Sequence, residues 1–320
     1  MKKLLNLALL MVILTMGYSQ TDPQYSFNMF NHMAINPGFA GANGGICARA
    51  IFHEQWMGFE NNPRTMVLSA DMAMPNISSG VGINVLSDNV GFNTSTYFNA
   101  NYAYRLKVGD DGDLGLGLGL GLIQNSLSAE WITSQMLYDE NAAPTDDPTI
   151  STNQEPHIAF DANFGLFYHT TFDKYNEMYA GISATHLTKP KFSTNEDVKA
   201  NYMARTYYLD AGYYYTMPNG VIQLRPSVLV KTDFITTQFS ANLTALYNQM
   251  FWAGLTYRAN NDLGLMVGAT LKNNLSFGIA YEYGLGMDFK NKSSFDVMLK
   301  YCFSITKSKG KTSYKSVRFL

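Results

Sequence analysis

An alternation of apolar and polar residues, sustained over roughly nine to sixteen positions at a time, constrains this chain more than any other feature. In the stretch 220–231, Ile222, Leu224, Pro226, Val228 and Val230 alternate with Gln223, Arg225, Ser227 and Lys231. In 293–303, Phe295, Val297, Leu299, Tyr301 and Phe303 alternate with Asp296, Met298, Lys300 and Cys302. Leu275, Phe277, Ile279, Tyr281 and Tyr283 alternate in the same way with Ser276, Gly278, Ala280 and Glu282. Successive side chains of a strand point to opposite faces, so each segment offers one apolar face and one polar face. Lipid on one side and a polar interior on the other satisfy both.

Read for this period, the chain gives about fourteen such segments, each bounded by Gly, Pro, Asn, Asp or Ser. They span 44–53, 64–74, 79–87, 94–107, 113–124, 155–171, 176–186, 202–217, 220–231, 235–246, 249–259, 263–271, 274–283 and 293–303. An even number is what a single-chain bacterial barrel requires. After residue 20, no stretch approaches the ~18 to 20 continuous apolar residues of a membrane helix. A soluble sandwich also alternates, but strands this long match a tilted bilayer crossing. Composition agrees: 14% aromatic and 15% charged residues leave little surface designed for water. The expected fold is an all-β, transmembrane, antiparallel up-and-down barrel of about fourteen strands. A net charge of −2 argues against nucleic acid or another polyanion as partner.

The first residues, MKKLLNLALLMVILTMGYSQ, set Lys2 and Lys3 ahead of an apolar run and small residues, the pattern of a secretory signal peptide. No Cys follows to support the lipoprotein route. The expected organisation is a signal peptide at 1–19, an N-terminal periplasmic or plug segment at 20–43, an outer-membrane barrel at 44–303 and a basic periplasmic tail at 304–320. The segment before the first strand carries Tyr25, Phe27, Met29, Phe30, Met33, Ile35 and Phe39. That is too apolar for a free tail, so it should pack in or under the barrel. Connections should alternate between a short set (PNIS, GDDGD, FDKY, PNG, YNQ, KNN) and a long set that includes 125–154 and 187–201, the long set facing outside the cell. Both the N-terminus and the tail then fall in the periplasm.

Motifs that suggest chemistry have plainer readings. LGLGLGLGL at 114–122 lacks the spacing of a phosphate loop and has no following helix. It reads as a strand with Leu toward lipid and Gly inward, and the inward Gly leave room for another segment to approach the wall. The acidic run Asp110 to Asp113 lacks the spaced ligands of a calcium loop and reads as a tight turn. The histidines His32, His53, His157, His169 and His186 show no metal-ligand spacing. No nucleophile signature appears, so neither catalytic residues, nor a metal, nor a cofactor are expected. Arg49, Asp71, Arg105, Asp161, Arg225, Arg258, Glu282, Asp296 and Lys300 should face the interior, either as a solvated or plug-paired wall or as a surface for a threaded partner.

The stretch TDPQYSFNMFNHMAINPGFAG, followed by QWMGFENNPRT, VGINVLSDNVG, FWAGLTYR, GATLKNNLSFGIAYEY and DVMLKYCF, resembles the PorP/SprF family of outer-membrane proteins from Bacteroidota. The likeness runs from about Asp22 to Phe303. The D-P-Q, N-P-x-x-A-G and Q-W-x-G-x-x-x-x-P-[RK]-T pieces are its specific parts; Glu60-Asn61-Asn62 stands where a small, Gly-containing stretch is usual. The resemblance implies an outer-membrane barrel that assists secretion or surface anchoring of type IX secretion cargo. Implied partners are adhesins or other cargo with a C-terminal sorting domain, periplasmic components of the system, and outer-membrane lipid. A passive diffusion channel for small solutes is the competing function.

Partner-binding candidates fall in three places. Gln55, Trp56, Gly58, Phe59, Pro63 and Arg64 lie in the loop between the first two strands, where aromatics serve either as a membrane girdle or as partner anchors. Phe27, Met29, Phe30, Asn36 and Pro37 lie in the N-terminal segment. Lys307, Lys309, Lys311, Lys315 and Arg318 make the tail basic without an acidic residue, which fits either a solvated extension or attachment to an acidic partner. Closing the barrel makes the first strand a neighbour of the last, and alternation turns Cys47 and Cys302 inward at similar heights. Register decides between a disulfide, which tolerates Cα atoms no more than ~7 Å apart, and two buried thiols.

Overall fold

The computed structural model describes residues 22–127, 156–173, 176–192, 201–259, 262–272, 274–285 and 293–304. The strands in chain order are β1 (Gly45–Glu54), β2 (Arg64–Met74), β3 (Ser79–Val90), β4 (Asn93–Val108), β5 (Gly112–Leu127), β6 (His157–Thr171), β7 (Asn176–Thr185), β8 (Lys191–Phe192) and β9 (Asn201–Tyr202). They continue with β10 (Thr206–Thr216), β11 (Ile222–Thr232), β12 (Thr237–Tyr247), β13 (Phe251–Arg258), β14 (Asp262–Thr270), β15 (Leu275–Gly284) and β16 (Ser293–Ser304). Fourteen of them close into one antiparallel barrel in which each strand pairs with its neighbour in sequence. The exception is β7, which pairs with β10; β8 and β9 form a separate two-stranded sheet within that connection.

Alternation acts as the period predicts. On β5, Leu118, Leu120 and Leu122 stand on the outer face, and the intervening glycines turn inward. On β16, Val297, Leu299 and Phe303 are exposed while Asp296 and Met298 are buried. Slipping a strand by one residue would put a buried Asp296 or Arg258 against lipid, so the polar face fixes the register. β1 and β16 close the seam with Cys47 and Cys302 as Cα partners, and the two are joined by a disulfide with Cα atoms 4.1 Å apart.

Connection lengths depart from the expected alternation. The connections 75–78, 109–111, 172–175, 217–221, 248–250 and 271–274 share one end and are short. At the other end 55–63 and 186–205 are long, yet only Gly91 and Phe92 separate β3 from β4, and residues 233–236 separate β11 from β12. β3 and β5 also run past their expected ends, to Val90 and Leu127, and β10 begins later than expected, at Thr206. Backbone pairing of β3 with β4 as far as Val90 and Asn93 carries the ladder beyond the apolar alternation, because a ladder needs only backbone partners.

Residues 22–44 occupy the lumen. They form three single-turn 3-10 helices, Asn28–Phe30, His32–Ala34 and Pro37–Phe39, with irregular chain between. Gly41, at φ +74°, faces Asp71 and Ala73 on the last part of β2 and Gly80 on the first part of β3, at the short-turn end. Asp22 lies at the opposite end, beside His186, Thr185, Tyr208 and Lys231. This corrects the expected placement of the N-terminal side. The segment joins β1 at the short-turn end, but its first described residue has crossed the barrel to the long-loop end.

Candidate functional site

The wall presents inward polar groups to the segment, and backbone groups without a sheet partner must find one there. The lower half is held by close approach and backbone bonds. Asn36 accepts from Gly38 N at 2.9 Å, capping Pro37–Phe39, and its Nδ2 donates to Leu166 O at 2.9 Å. Pro37 at the first position of that turn has no N–H to leave orphaned. Gly38 sits against the backbones of Gly115, Gly117 and Gly165, where a Cβ on Gly38 would lie 2.8 Å from Gly115 O. The glycines of LGLGLGLGL thus admit the segment to the wall. Ser183 Oγ donates to Ile35 O at 2.7 Å, and Gly41 N donates to Asp71 Oδ2 at 3.1 Å.

The middle is apolar. Phe27 is fully buried, edge-on to Trp252 and Phe30 with ring centroids 6.0 Å from each, and Met29 packs against the same cluster. A second cluster joins Met33, Phe39 and Ala40 to Ala103, Phe167 and Tyr179. Aromatic rings in these offset arrangements add to the gain from removing their surface from water.

The upper half is ionic. His186 Nε2 lies 2.9 Å from Asp22 Oδ1 and its Nδ1 lies 2.8 Å from Asp161 Oδ2, so one imidazole sits between two carboxylates. Tyr208 also donates to Asp22, and Lys231 donates to the Asp22 carbonyl. Burial disfavours the His186 imidazolium, but the adjacent Asp22 charge and the bonds to both carboxylates prevail and push its pKa up to about 10. For Asp22, burial pulls the other way and is outweighed by His186 and Lys231, which hold its carboxyl well below the usual range. Ser26 N donates to Asp296 Oδ2 at 2.6 Å and Ser26 Oγ donates to Glu282 at 2.5 Å. Those carboxylates are held in turn by His53 and Arg258. His32 Nδ1 lies 3.0 Å from Asp210. Among the described residues each buried charge has a partner, without which it would cost several kcal/mol.

The loop 55–63 is fastened over the long-loop end. Gln55 N donates to Pro63 O, Trp56 N to Ser294 Oγ, Met57 N to Ser293 O and Gly91 N to Asn61 O. Trp56 takes a left-handed φ of 53° and Gly58 one of 94°, Phe59 is exposed, and Arg64 pairs with Glu54 at 3.1 Å. The structure therefore groups Phe27, Met29 and Phe30 in one cluster, keeps Asn36 and Pro37 in the lower lumen, and sets Gln55 to Arg64 at the far end. The expected signal peptide, nearly all of 125–154, residues 193–200 and the tail with Lys307, Lys309, Lys311, Lys315 and Arg318 lie outside the described residues.

The sequence profile of the type IX secretion system membrane protein PorP/SprF matches residues 17–301. The chain belongs to that family. No match was found among curated proteins. Among solved structures, this PorP/SprF barrel is similar to the Ralstonia pickettii toluene transporter TbuX, at 11% identity and TM-score 0.53, over 91% of this chain and 100% of that one. It is also similar to the Pseudomonas putida toluene transporter TodX, at 10% identity and TM-score 0.50, over 91% of this chain and 96% of that one. At such identities the likeness is one of fold, a membrane barrel of the outer-membrane type.

Sequence reasoning missed the residues that fasten the PorP/SprF lumen segment, Asp22, Ser26, His53, His186 and Lys231 at its upper end and the pair His32 and Asp210 further down. The histidines show no ligand spacing because their partners lie 25 to 243 positions away on other strands. Parity alone would have turned His53 inward beside Arg49.

Proposed function

We propose that this protein is an outer-membrane component of the type IX secretion system that assists secretion or surface anchoring of cargo carrying a C-terminal sorting domain. It does so by binding the cargo or the periplasmic part of the machine. Its location would be the outer membrane, with the long-loop end outside. The observation that carries this reading, beside family membership, is the lumen filled by the chain's own N-terminal segment. A channel for free diffusion has no use for a segment fastened by buried ion pairs at one end and glycine contacts at the other. The loop with Trp56 and Phe59 is the proposed outer contact, and the tail lysines the proposed periplasmic one.

Deleting the gene and restoring it on a plasmid tests the reading, with surface display of sorting-domain cargo as the readout. Display should be lost and then restored, and purified barrel in a planar bilayer should pass no steady current. Intact display together with a stable open conductance would favour a solute channel instead.

A further inference from the structure

The lumen segment is anchored differently at its two ends. At the short-turn end it continues through Gly44 into β1, so that end cannot leave the wall. Among the described residues, the Asp22 end is held by side chains alone. Tyr208 on β10 donates to the Asp22 carboxylate, Lys231 on β11 donates to its carbonyl, and Thr185, the last residue of β7, donates to the carboxylate at 3.4 Å. These three belong to strands whose ladders fix their positions. The fourth holder, His186, belongs to no strand.

His186 opens the connection 186–205, and its backbone takes φ 56°, the left-handed region that a non-glycine residue occupies at a cost. Lys189 does the same at φ 50°. Bonds made by the connection itself impose this shape. Lys189 N donates to His186 O at 3.0 Å and closes a turn, Leu187 N donates to Ala162 O at 3.0 Å, and Arg205 Nε donates to Leu187 O at 3.0 Å. Thr188 Oγ1 donates to Phe160 O at 2.9 Å and to Asp161 Oδ1 at 3.2 Å. Thr188 and Arg205 are exposed. Past the turn, Met203 N donates to Pro190 O at 3.0 Å, which ties the turn to the two-stranded sheet of β8 and β9.

The imidazole therefore follows the connection rather than the wall. The turn aims it into the lumen, 2.9 Å from Asp22 and 2.8 Å from Asp161. Withdrawing it would leave two carboxylates flanking one gap, the Asp161 side chain at 1% exposure, and like charges so far from water repel. Two arrangements result: imidazole in with Asp22 held, or imidazole out with Asp22 expelled.

We propose that His186 is a latch through which the 186–205 connection controls the lumen segment, so that displacing this connection from the long-loop end releases Asp22 and the residues that follow it. Release is confined to the upper part, because Asn36 to Gly41 keep their glycine contacts and their bonds to Leu166 and Asp71. The latch rests on the geometry of the barrel and not on the role proposed in secretion.

Hydrogen exchange of detergent-extracted, full-length protein, resolved by mass spectrometry, tests the latch. Ser26 N, fully buried and bonded to Asp296, reports on the upper part of the segment, and Gly41 N, bonded to Asp71, on the lower. Thr188→Val combined with Arg205→Gln alters the connection alone, since neither side chain bonds to the segment among the described residues. This double variant should speed exchange at Ser26 by at least about fivefold, the scale of one net hydrogen bond, and leave Gly41 unchanged. His186→Ala should speed Ser26 further. Asn62→Ala, which loosens the neighbouring loop 55–63 by removing bonds to Glu54 and Gln55 O, should change neither. Heat-modifiable gel migration checks that each variant remains a closed barrel. Wild-type exchange at Ser26 in the folded double variant, equal acceleration at Ser26 and Gly41, an equal response to Asn62→Ala, or no effect of His186→Ala would overturn the proposal.

Discussion

Replacing Phe27 by Ala should loosen the lumen segment while leaving the barrel closed. Phe27 is fully buried, and its ring meets Trp252 and Phe30 at 6.0 Å. Truncating a core Phe costs about 3–5 kcal/mol, with the upper values where the surroundings cannot collapse into the space. Here the surroundings are strands fixed by ladders on both sides, so collapse is limited. No ladder includes residue 27, so the loss falls on docking of the segment rather than on strand pairing. At 1.4 kcal/mol per tenfold, the open population should rise by roughly a hundredfold to a few thousandfold. Cleavage tracks that population when opening and closing outpace the protease. The assay is limited proteolysis of detergent-extracted protein, following cuts between Tyr25 and Phe39, with heat-modifiable migration as the measure of barrel closure. Phe277→Ala, on the exposed outer face, is the control and should leave the rate unchanged. A rise of less than tenfold for Phe27→Ala, or loss of the folded band before the cuts appear, would refute the reasoning.

Three further outcomes follow from the same contacts. The disulfide joins residues 255 apart, so the chain-entropy model gives it on the order of 5 kcal/mol; Cys47→Ser with Cys302→Ser should lower the urea midpoint of unfolding, and an unchanged midpoint would show the bridge to be thermodynamically idle. Gly117→Val should expel Pro37 and Gly38 from the wall, since even a Cβ there collides with their backbone; proteolysis near Phe39 should increase, whereas Leu120→Val, on the exposed outer face, should not affect it. The His186 pKa is raised from 6.5 to about 10, so its ionic contribution is full below about pH 6.5 and is lost as pH rises through 10; Asp22, lowered from 3.8, contributes above about pH 4 and loses that contribution only in stronger acid. Hydrogen exchange at Ser26 should therefore accelerate between pH 7 and 10 beyond its intrinsic rise, and the excess should vanish in His186→Gln.

The barrel was legible because its information is local. Ile222 to Lys231 carry their own alternation, and the turns on either side announce themselves with Pro218-Asn219-Gly220 and Asp233. Pairing each such strand with the next needs only short connections, and closure of β1 on β16 follows once the count is even. Connection lengths were less legible. The turn at Gly91-Phe92 and the polar ladder before it lie outside any apolar pattern, so the strands looked shorter and the connections longer than they are.

The occupied lumen was half legible, and the divide falls where local signals stop. Seven apolar residues between Tyr25 and Phe39 announce that the segment must be covered, and inward glycines at 115, 117 and 119 announce that something can reach the wall. Neither says in which direction the chain runs. Direction is set by Asp22 reaching His186 across 164 positions and Ser26 reaching Asp296 across 270, pairs that no spacing rule encodes. Parity narrows the choice, because only inward residues can be partners, and a segment with an acid at its start needs a base on the wall. Lys231 and His186 both stand at the long-loop end, whereas at the short-turn end Asp71 already holds Arg49 and accepts from Gly41. A segment entered from the Gly44 side places its acid beside those two bases by running the full length of the barrel.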